Sequence, residues 1–383
     1  MTNDVAGLNI YLEQARVNAV RADAIAVVIG SEAADLDSMV SALLHALLAS
    51  TRPGAAAPPL VPVINCPRAD FKLRTEAVFL FDRVGLAIDA LLFIDEIDLD
   101  SAHQAGALHL TLVDHNTLCA GQESYAGAVE AILDHHEDAG HYARANPRTI
   151  EPVGSATTLV AEAMLRERPA LVGAGLARLL LGAILLDTVN LDPAAQRVTA
   201  KDREVSSRLA PIAGLDTGEL FEILQAEKFN VSGLSTADLL RKDYKAWDTP
   251  SASYGISTVM TSIGDWITRD PDLVSGLDSF LCSRDLTCLL AMMAYTDAAG
   301  EFCRDLALYT PDAVLAGELC AVLEANDPGL SRIEPGGLKR AGKVMLFTRQ
   351  NTSISRKKLQ PLLQDFFCAT AAGQLGASRS LVD

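Results

Sequence analysis

The chain has 383 residues, a length that predicts about two domains. Hydrophobic residues make up 49% of it and charged residues 21%, a composition that excludes an intrinsically disordered chain. The formal net charge of −17 at pH 7 repels other polyanions, so we expect neither a nucleic acid nor an acidic membrane as a partner.

The amino terminus and the cysteines indicate a cytoplasmic protein. The first residues, MTNDVAGLNIYLEQ, contain neither the basic nor the apolar segment of a secretory signal. The seven cysteines include no CxxC pair, which is typical of reduced thiols in a cytosolic chain. The most apolar stretch, LARLLLGAILLDTVNL, carries Arg178 and Asp187 and is too short to span a bilayer.

Strand-like and helix-like segments alternate through the first half of the chain. The apolar runs AIAVVIG, VPVINC, ALLFID, LHLTLV and AVEAIL each precede a polar break, as buried parallel strands do. Helical spacing occurs in SMVSALLHALLAS and TEAVFLFDRVG and is expected over 155–166, 174–185 and 194–209. This alternation predicts an α/β fold with a doubly wound parallel sheet.

The second half differs in composition and indicates a second domain. All seven histidines precede residue 142, whereas the basic runs Arg241-Lys242 and Arg356-Lys357-Lys358 lie in the second half. The strand-like runs SYGISTVM, TCLLAMMAY, FCRDLALYT and KVMLFTR accompany helices expected at 312–325 and 355–367. We expect a first domain over 1–200, a linker over 201–219, and a smaller mixed α/β domain over 220–383.

Acidic and histidine side chains follow predicted strands and one predicted helix of the first domain. They are Asp35 and Asp37 in GSEAADLDS, Asp114 in LVDHN, Asp134, His135 and His136 in ILDHH, and Asp187 in ILLDT. The carboxyl ends of parallel strands meet at one edge of a sheet, so these side chains should lie together. Carboxylates with imidazole suit divalent cations that bind phosphoryl groups. The residues alone leave a second interpretation open, because aspartate is also common in turns and at helix N-termini.

A basic segment at a predicted helix start is the second candidate site. Ser355-Arg356-Lys357-Lys358 opens the helix expected at 355–367. Lysine is unfavourable at a helix N-terminus unless an anion binds there, and arginine binds phosphate through paired hydrogen bonds. The segment therefore predicts phosphate binding, with a basic surface turn as the alternative.

Taken together, the motifs resemble a known family. GSEAADLDS, LVDHN, ILDHH and ILLDT occur in the order found in the DHH phosphoesterase superfamily, and KFNVSGLSTADLLRKDYKAW and NTSISRKKLQPLLQ resemble the DHHA2 domain. Family II inorganic pyrophosphatases, yeast-type cytosolic exopolyphosphatases and prune proteins combine these domains, and the likeness is greatest to the last two. It implies an active site in the cleft between the domains and release of terminal phosphate from short-chain inorganic polyphosphate.

The resemblance also implies residue roles. The residues implied to hold two divalent cations, Mg²⁺ and/or Mn²⁺, are Asp35, Asp37, Asp114, His135 and Asp187. Asp114 would contact both ions, and Asp114 and His136 would be the catalytic residues. The residues implied to bind the phosphate chain are His136, Lys245, Arg356 and Lys357.

One position departs from the pyrophosphatase pattern. That pattern begins with Gly-His, whereas this chain has Gly30-Ser31. Without the imidazole, the first metal site keeps only oxygen ligands and favours Mg²⁺. The alternatives are an inorganic pyrophosphatase, a prune-like cyclic-nucleotide phosphodiesterase and a regulatory interaction protein; the sequence does not determine the oligomeric state.

Overall fold

The chain folds into two compact units, Met1–Asn230 and Val231–Asp383. The structure, a computed structural model, describes residues 3–52, 58–327, 329–334, 338, 344–349 and 352–371. In that part of the chain, no helix is both long enough and apolar enough to cross a bilayer.

The first unit contains nine of the described helices and five strands. The helices are α1 (Asn3–Arg21), α2 (Leu36–Ser50), α3 (Arg68–Phe71), α4 (Thr75–Val84), α5 (Leu99–Gln104), α6 (Ala156–Glu167), α7 (Ala174–Asp187), α8 (Ala200–Ala213) and α9 (Thr217–Phe229). The strands are β1 (Ile25–Ile29), β2 (Leu60–Val63), β3 (Leu108–Val113), β4 (Val129–Asp134) and β5 (Arg148–Ile150).

All five strands of the first unit run parallel in the order β2-β1-β3-β4-β5. Buried side chains form a core on each face, represented by Leu44 and Leu180 on one side and Val27 and Leu110 on the other. The predicted doubly wound α/β fold is therefore confirmed. The strand order reverses between β1 and β3, and a sheet of this kind has its ligand crevice at that point, beyond the carboxyl ends of the strands.

The second unit is a mixed α/β structure, as predicted. Its described helices are α10 (Thr236–Lys242), α11 (Ile263–Arg269), α12 (Leu273–Ser283), α13 (Ala313–Asn326) and α14 (Arg356–Ala371). Its strands are β6 (Tyr244–Asp248), β7 (Ser253–Val259), β8 (Cys288–Thr296), β9 (Phe302–Tyr309), β10 (Leu330–Ile333) and β11 (Val344–Arg349). They form one sheet in the order β10-β11-β9-β8-β7-β6, in which only the β7–β8 pair of the described strands is parallel. Lys343, the first residue of KVMLFTR, lies outside the described residues.

The strand predicted for ALLFID is wrong. This segment contributes one bridge, between Ile64 and Phe93, and then turns into a short 3₁₀ helix, Ile94–Glu96. The Glu96 carboxylate accepts hydrogen bonds from Arg16, from Arg68 and from the backbone N–H of Phe93. These bonds stabilise a turn where an extended strand was expected.

The segment 201–219, expected to be a linker, is mostly helical and belongs to the first unit. It contains most of α8 and the start of α9, and Val205 and Leu209 are buried in the first-unit core. Helix α8 begins at Ala200 and not at 194, because Thr199 and Asp202 form a capping box there. The division between compact units therefore falls after Asn230.

Candidate metal centre

A cavity of about 750 Å³ lies at the carboxyl edge of the parallel sheet. Seven acidic and histidine residues singled out in the sequence line it, namely Asp35, Asp37, Asp114, Asp134, His135, His136 and Asp187. They come from the loop after β1 and the start of α2, from the residue after β3, from the end of β4, and from the last residue of α7. The topology thus brings together side chains that are up to 152 residues apart in sequence, as the separation of Asp35 and Asp187 shows.

Asp35 and Asp37 are fixed at the N-terminus of α2. Asp35 caps this helix by accepting a hydrogen bond from the backbone N–H of Ser38 at 3.0 Å. The buried carboxylate of Asp37 accepts from the backbone N–H groups of Ala156 and Thr157, both at 2.7 Å. Asp37 therefore joins the N-terminus of α2 to that of α6, where the positive end of the helix stabilises its charge.

Asp114 lies at the centre of the cluster. It follows β3 directly, adopts a φ of 61° and is 4% exposed. Ser38 Oγ donates a hydrogen bond to Asp114 Oδ2, and His135 Nε2 lies 3.2 Å from Asp114 Oδ1. Gly30 permits this arrangement, because a Cβ atom at that position would lie 2.9 Å from the Ser38 carbonyl oxygen.

The two histidines have different surroundings. His135 Nδ1 donates to the Val153 carbonyl at 2.9 Å, which directs Nε2 towards the aspartates. His136 Nδ1 lies 2.9 Å from Asp134 Oδ1, and its side chain is 60% exposed. Asp134 is fully buried and also accepts from Asn116 Nδ2. Asp134 therefore orients the His136 ring from behind, and His136 keeps a face open to the cavity.

The carboxylates repel one another. Burial and the charge of Asp37 raise the pKa of Asp35 and the pKa of Asp187, and they raise the pKa of Asp114 to about 7. Burial opposes protonation of His135, but the hydrogen bond to Asp114 and the charge of Asp37 outweigh it and raise its pKa to about 9. The site therefore attracts positive charge, as protons or as cations.

The donor set fits a divalent cation. Within the described part of the chain, Asp187 Oδ2 is buried and has no hydrogen-bond partner. Asp114, His135 and His136 can each offer a ligand atom, and these atoms lie within 4.8 Å of one another. Carboxylate oxygens with imidazole nitrogen suit Mg²⁺ and Mn²⁺.

Ser31, the residue that stands where the resemblance implied an imidazole in pyrophosphatases, also lines the cavity. Its Oγ lies 2.8 Å from Ser38 Oγ, the hydroxyl that donates to Asp114. Ser31 is thus connected to the Asp114 carboxylate through the Ser38 hydroxyl.

The basic residues predicted to bind phosphate lie in the second unit. Arg356 is the first residue of α14, and its Nη1 lies 2.7 Å from Asp243 Oδ1. Asp243 immediately precedes β6, which carries the exposed Lys245, and Lys357 is exposed in the first turn of α14. The ion pair therefore places the basic helix start beside the start of β6.

Sequence reasoning missed several residues that build the cavity. Ser38 had a usable signal, because it stands three residues after Asp35 in DLDS, and the side chain of an N-cap residue accepts a hydrogen bond from the backbone N–H at that position. The Val153 carbonyl and the N–H groups of Ala156 and Thr157 had none, since backbone groups carry no residue signature. Arg197, which lines the cavity ten residues after Asp187, was also missed.

We expect the metal-free protein to lose stability as the pH rises from about 6 to about 9. Asp114 and His135 have raised pKa values of about 7 and about 9, so the folded state binds protons more tightly than the unfolded state. That contribution is present at low pH and is lost as the pH rises through these values. Thermal melting in a chelator should show the melting temperature falling over this range. Saturating Mg²⁺ should remove the fall, and a metal-free melting temperature that rises over the range would contradict the electrostatic account.

A parallel α/β sheet with carboxylates and histidines at its switch point is the arrangement of a metal-dependent phosphoesterase. The chain belongs to the DHH family and carries a DHHA2 domain: the model of the DHH family N-terminal domain matches residues 25–184, and that of the DHHA2 domain matches residues 222–366. The family predicted from the motifs is confirmed.

Curated relatives include proteins of two activities. The chain is 36% identical to exopolyphosphatase PRUNE1 of Rattus norvegicus over 376 residues, which cover 96% of this chain and 82% of the rat protein. It is 34% identical to exopolyphosphatase PRUNE1 of Homo sapiens, over 94% of this chain and 79% of the human protein. A probable manganese-dependent inorganic pyrophosphatase of Thermotoga maritima is 33% identical over 155 residues, which cover 39% of this chain and 28% of that protein.

Proposed function

We propose that this protein is an exopolyphosphatase that releases terminal phosphate from short-chain inorganic polyphosphate with the help of divalent cations. The observation that carries the proposal is the convergence of Asp114, His135 and Asp187 in one cavity. It is supported by the 36% identity to rat exopolyphosphatase PRUNE1, which extends over 96% of the chain and so includes both domains.

The residues proposed to hold two cations, Mg²⁺ and/or Mn²⁺, are Asp35 and Asp114 for one ion and Asp37, Asp114, His135 and Asp187 for the other. Two observations support this assignment: the carboxylates repel one another, and Asp187 Oδ2 has no hydrogen-bond partner among the residues that the structure describes. When bound, the cations supply positive charge that neutralises phosphate oxygens and acidifies the attacking water. Ser38 and Val153 fix Asp114 and His135 through hydrogen bonds, so these ligands are oriented before an ion arrives.

His136 is proposed to stabilise the leaving phosphate. The hydrogen bond to Asp134 raises the pKa of His136, which favours the protonated ring. Because Nδ1 is held by Asp134, Nε2 is the nitrogen that can donate to a leaving oxygen.

Lys245, Arg356 and Lys357 of the second unit are proposed to bind the phosphate chain. A guanidinium has five N–H donors, so Arg356 keeps donors for a phosphate group while its Nη1 pairs with Asp243. Ion pairing with Asp243 also restricts the Arg356 side chain, which lowers the entropy cost of binding an anion.

The test is hydrolysis of pyrophosphate, tripolyphosphate, tetrapolyphosphate, a long polyphosphate and a cyclic nucleotide, each with Mg²⁺ and with Mn²⁺. We expect tri- and tetrapolyphosphate to be cleaved at least about tenfold faster than pyrophosphate, a difference of about 1.4 kcal/mol in activation free energy. Turnover fastest on pyrophosphate would replace the proposal with the pyrophosphatase alternative. Hydrolysis confined to cyclic nucleotides would favour a phosphodiesterase, and no turnover with either metal would favour an interaction protein.

Inorganic pyrophosphatase is the second candidate, because the Thermotoga maritima protein matches 39% of the chain. Ser31 weighs against it, since it places a hydroxyl where the pyrophosphatase pattern has an imidazole.

A further inference from the structure

One basic residue, Arg197, belongs to the lining of the metal-site cavity. Of the described residues that line the cavity, Arg197 is the only arginine or lysine, while five aspartates and Glu137 are acidic. An unscreened wall of carboxylates repels an oligophosphate. A cation on the same wall would reduce that repulsion where the phosphate enters.

The loop that carries Arg197 has an unusual backbone. Starting two residues after Asp187, Val189, Asn190 and Leu191 have φ values of 50°, 55° and 60°. Three consecutive non-glycine residues in the left-handed region are costly, most of all the β-branched Val189. Hydrogen bonds from Asn190 N to Leu185 O at 2.8 Å and from Leu191 N to Thr188 Oγ1 at 3.2 Å hold this conformation. Strain held in this way, next to a predicted ligand, is typical of a functional segment.

Both ends of the loop pack against Gly154. A Cβ atom on Gly154 would lie 2.4 Å from Thr188 Cγ2 and 2.7 Å from the Arg197 carbonyl oxygen, so only glycine fits without a shift. The close approach fixes the backbone of Arg197 relative to the start of α6.

Asp202 fixes the chain just beyond Arg197. Its fully buried carboxylate accepts from Gly154 N at 2.9 Å, from Thr199 N at 2.7 Å and from Thr158 Oγ1 at 2.6 Å. The backbone two residues after Arg197 is thereby tied to the N-terminal turn of α6, which also holds the Asp37 carboxylate. The Arg197 backbone and the Asp37 carboxylate are therefore both held by the N-terminal turn of α6.

The Arg197 side chain is exposed and makes no hydrogen bond or ion pair with any residue that the structure describes. Its neighbour Arg203 differs, because its Nη1 donates to the Leu191 carbonyl at 3.0 Å and supports the loop. A guanidinium on a fixed backbone with its donors unused is suited to bind an anion from solution.

We propose that Arg197 is a substrate-binding residue of the first unit that contacts a phosphate group of the oligophosphate, with Gly154 and Asp202 as its positioning residues. The proposal rests on the proposed function for the identity of the ligand. A solvated surface arginine with no ligand is the alternative that the experiment must distinguish.

The experiment measures the affinity for imidotriphosphate, a triphosphate with nitrogen bridges in place of oxygen, by calorimetry in Mg²⁺. Arg197→Gln should weaken binding about ten- to a hundredfold, because it removes charge-assisted hydrogen bonds. Arg197→Lys should have an affinity between those of the wild type and Arg197→Gln, since lysine keeps the positive charge but lacks the paired N–H donors of a guanidinium. The matched control is Arg208→Gln, an exposed arginine of α8 outside the cavity lining, which should bind as the wild type does.

Two further measurements separate the possible failures. Arg197→Gln should keep the wild-type melting temperature, because the side chain stabilises nothing else in the described chain. Equal affinities of Arg197→Gln and Arg208→Gln, or no binding of the analogue by the wild type, would overturn the proposal. If the analogue binds and Arg197→Gln weakens it while no polyphosphate is hydrolysed, the inference stands and the proposed function fails. If polyphosphate is hydrolysed and Arg197→Gln binds the analogue as the wild type does, the proposed function stands and the inference about Arg197 fails.

Discussion

Asp114→Asn should lower turnover of tripolyphosphate at least roughly a thousandfold, the largest effect expected of any single substitution in this chain. Asparagine keeps the shape of the side chain and can still accept the hydrogen bond from Ser38 Oγ. It removes the negative charge proposed to be shared by both cations, and it removes the partner of His135 Nε2 at 3.2 Å. Turnover at saturating Mg²⁺ and the metal content of the purified protein are the two measurements.

Asp95→Asn is the matched control for Asp114→Asn. Asp95 ends the segment ALLFID, which was expected to be a strand, and it does not line the cavity. Its Oδ1 accepts from the backbone N–H of Arg68 at 2.9 Å, a bond that asparagine can keep. Asp95→Asn should therefore be as active as the wild type. If Asp114→Asn retains more than about a tenth of wild-type turnover, Asp114 is not a shared ligand.

The convergence of these acidic and histidine side chains in one cavity could be predicted because they follow the ends of secondary-structure elements. Parallel strands place their carboxyl ends at one edge, so Asp114 and His135 could be brought together without coordinates. The two interpretations of Asp35 were also not exclusive: it caps α2 through Ser38 N and lines the cavity at the same time. Both roles of Asp35 need a carboxylate held in place in the loop that follows a strand.

The supporting contacts could not be predicted, because they join positions with no shared sequence pattern. Asp37 is held by backbone N–H groups about 120 residues away, as the Thr157 N–H shows. ALLFID has the hydrophobicity of a strand, but its conformation depends on Arg16 and Arg68, which bind Glu96 from distant segments. Arg197 follows a loop with positive φ at Val189, where residue preference argues against that conformation.

The segment 201–219, expected to be a linker, is helical for a related reason. The polar sequence of 201–219 resembles a linker, yet α8 and α9 bury a few apolar residues, among them Leu209 and Leu224, against the rest of the first unit. A narrow apolar stripe is enough to hold a surface helix, and its partners on α7 and α4 are not visible in the segment itself.

Asp187→Asn should lower turnover at least roughly a hundredfold and yet raise the stability of the metal-free protein. Burial and the charges of Asp37 and Asp35 raise the pKa of Asp187, which means that its ionised form destabilises the metal-free fold at neutral pH. A neutral amide removes that repulsion, and its N–H₂ group can donate to Asp37. The same substitution removes a proposed ligand whose Oδ2 has no hydrogen-bond partner in the described chain.

Melting temperatures with chelator and with saturating Mg²⁺ separate these two effects. With chelator, Asp187→Asn should melt above the wild type. With Mg²⁺, the order should reverse, because the wild type gains more binding free energy from the ions than the variant, which lacks one proposed ligand. Asp37→Asn is the informative comparison, since Asp37 accepts from Ala156 N and Thr157 N and its charge stabilises the α6 N-terminus. It should therefore gain less stability in chelator than Asp187→Asn. A wild type and an Asp187→Asn variant that melt together in chelator and respond equally to Mg²⁺ would remove Asp187 from the metal centre.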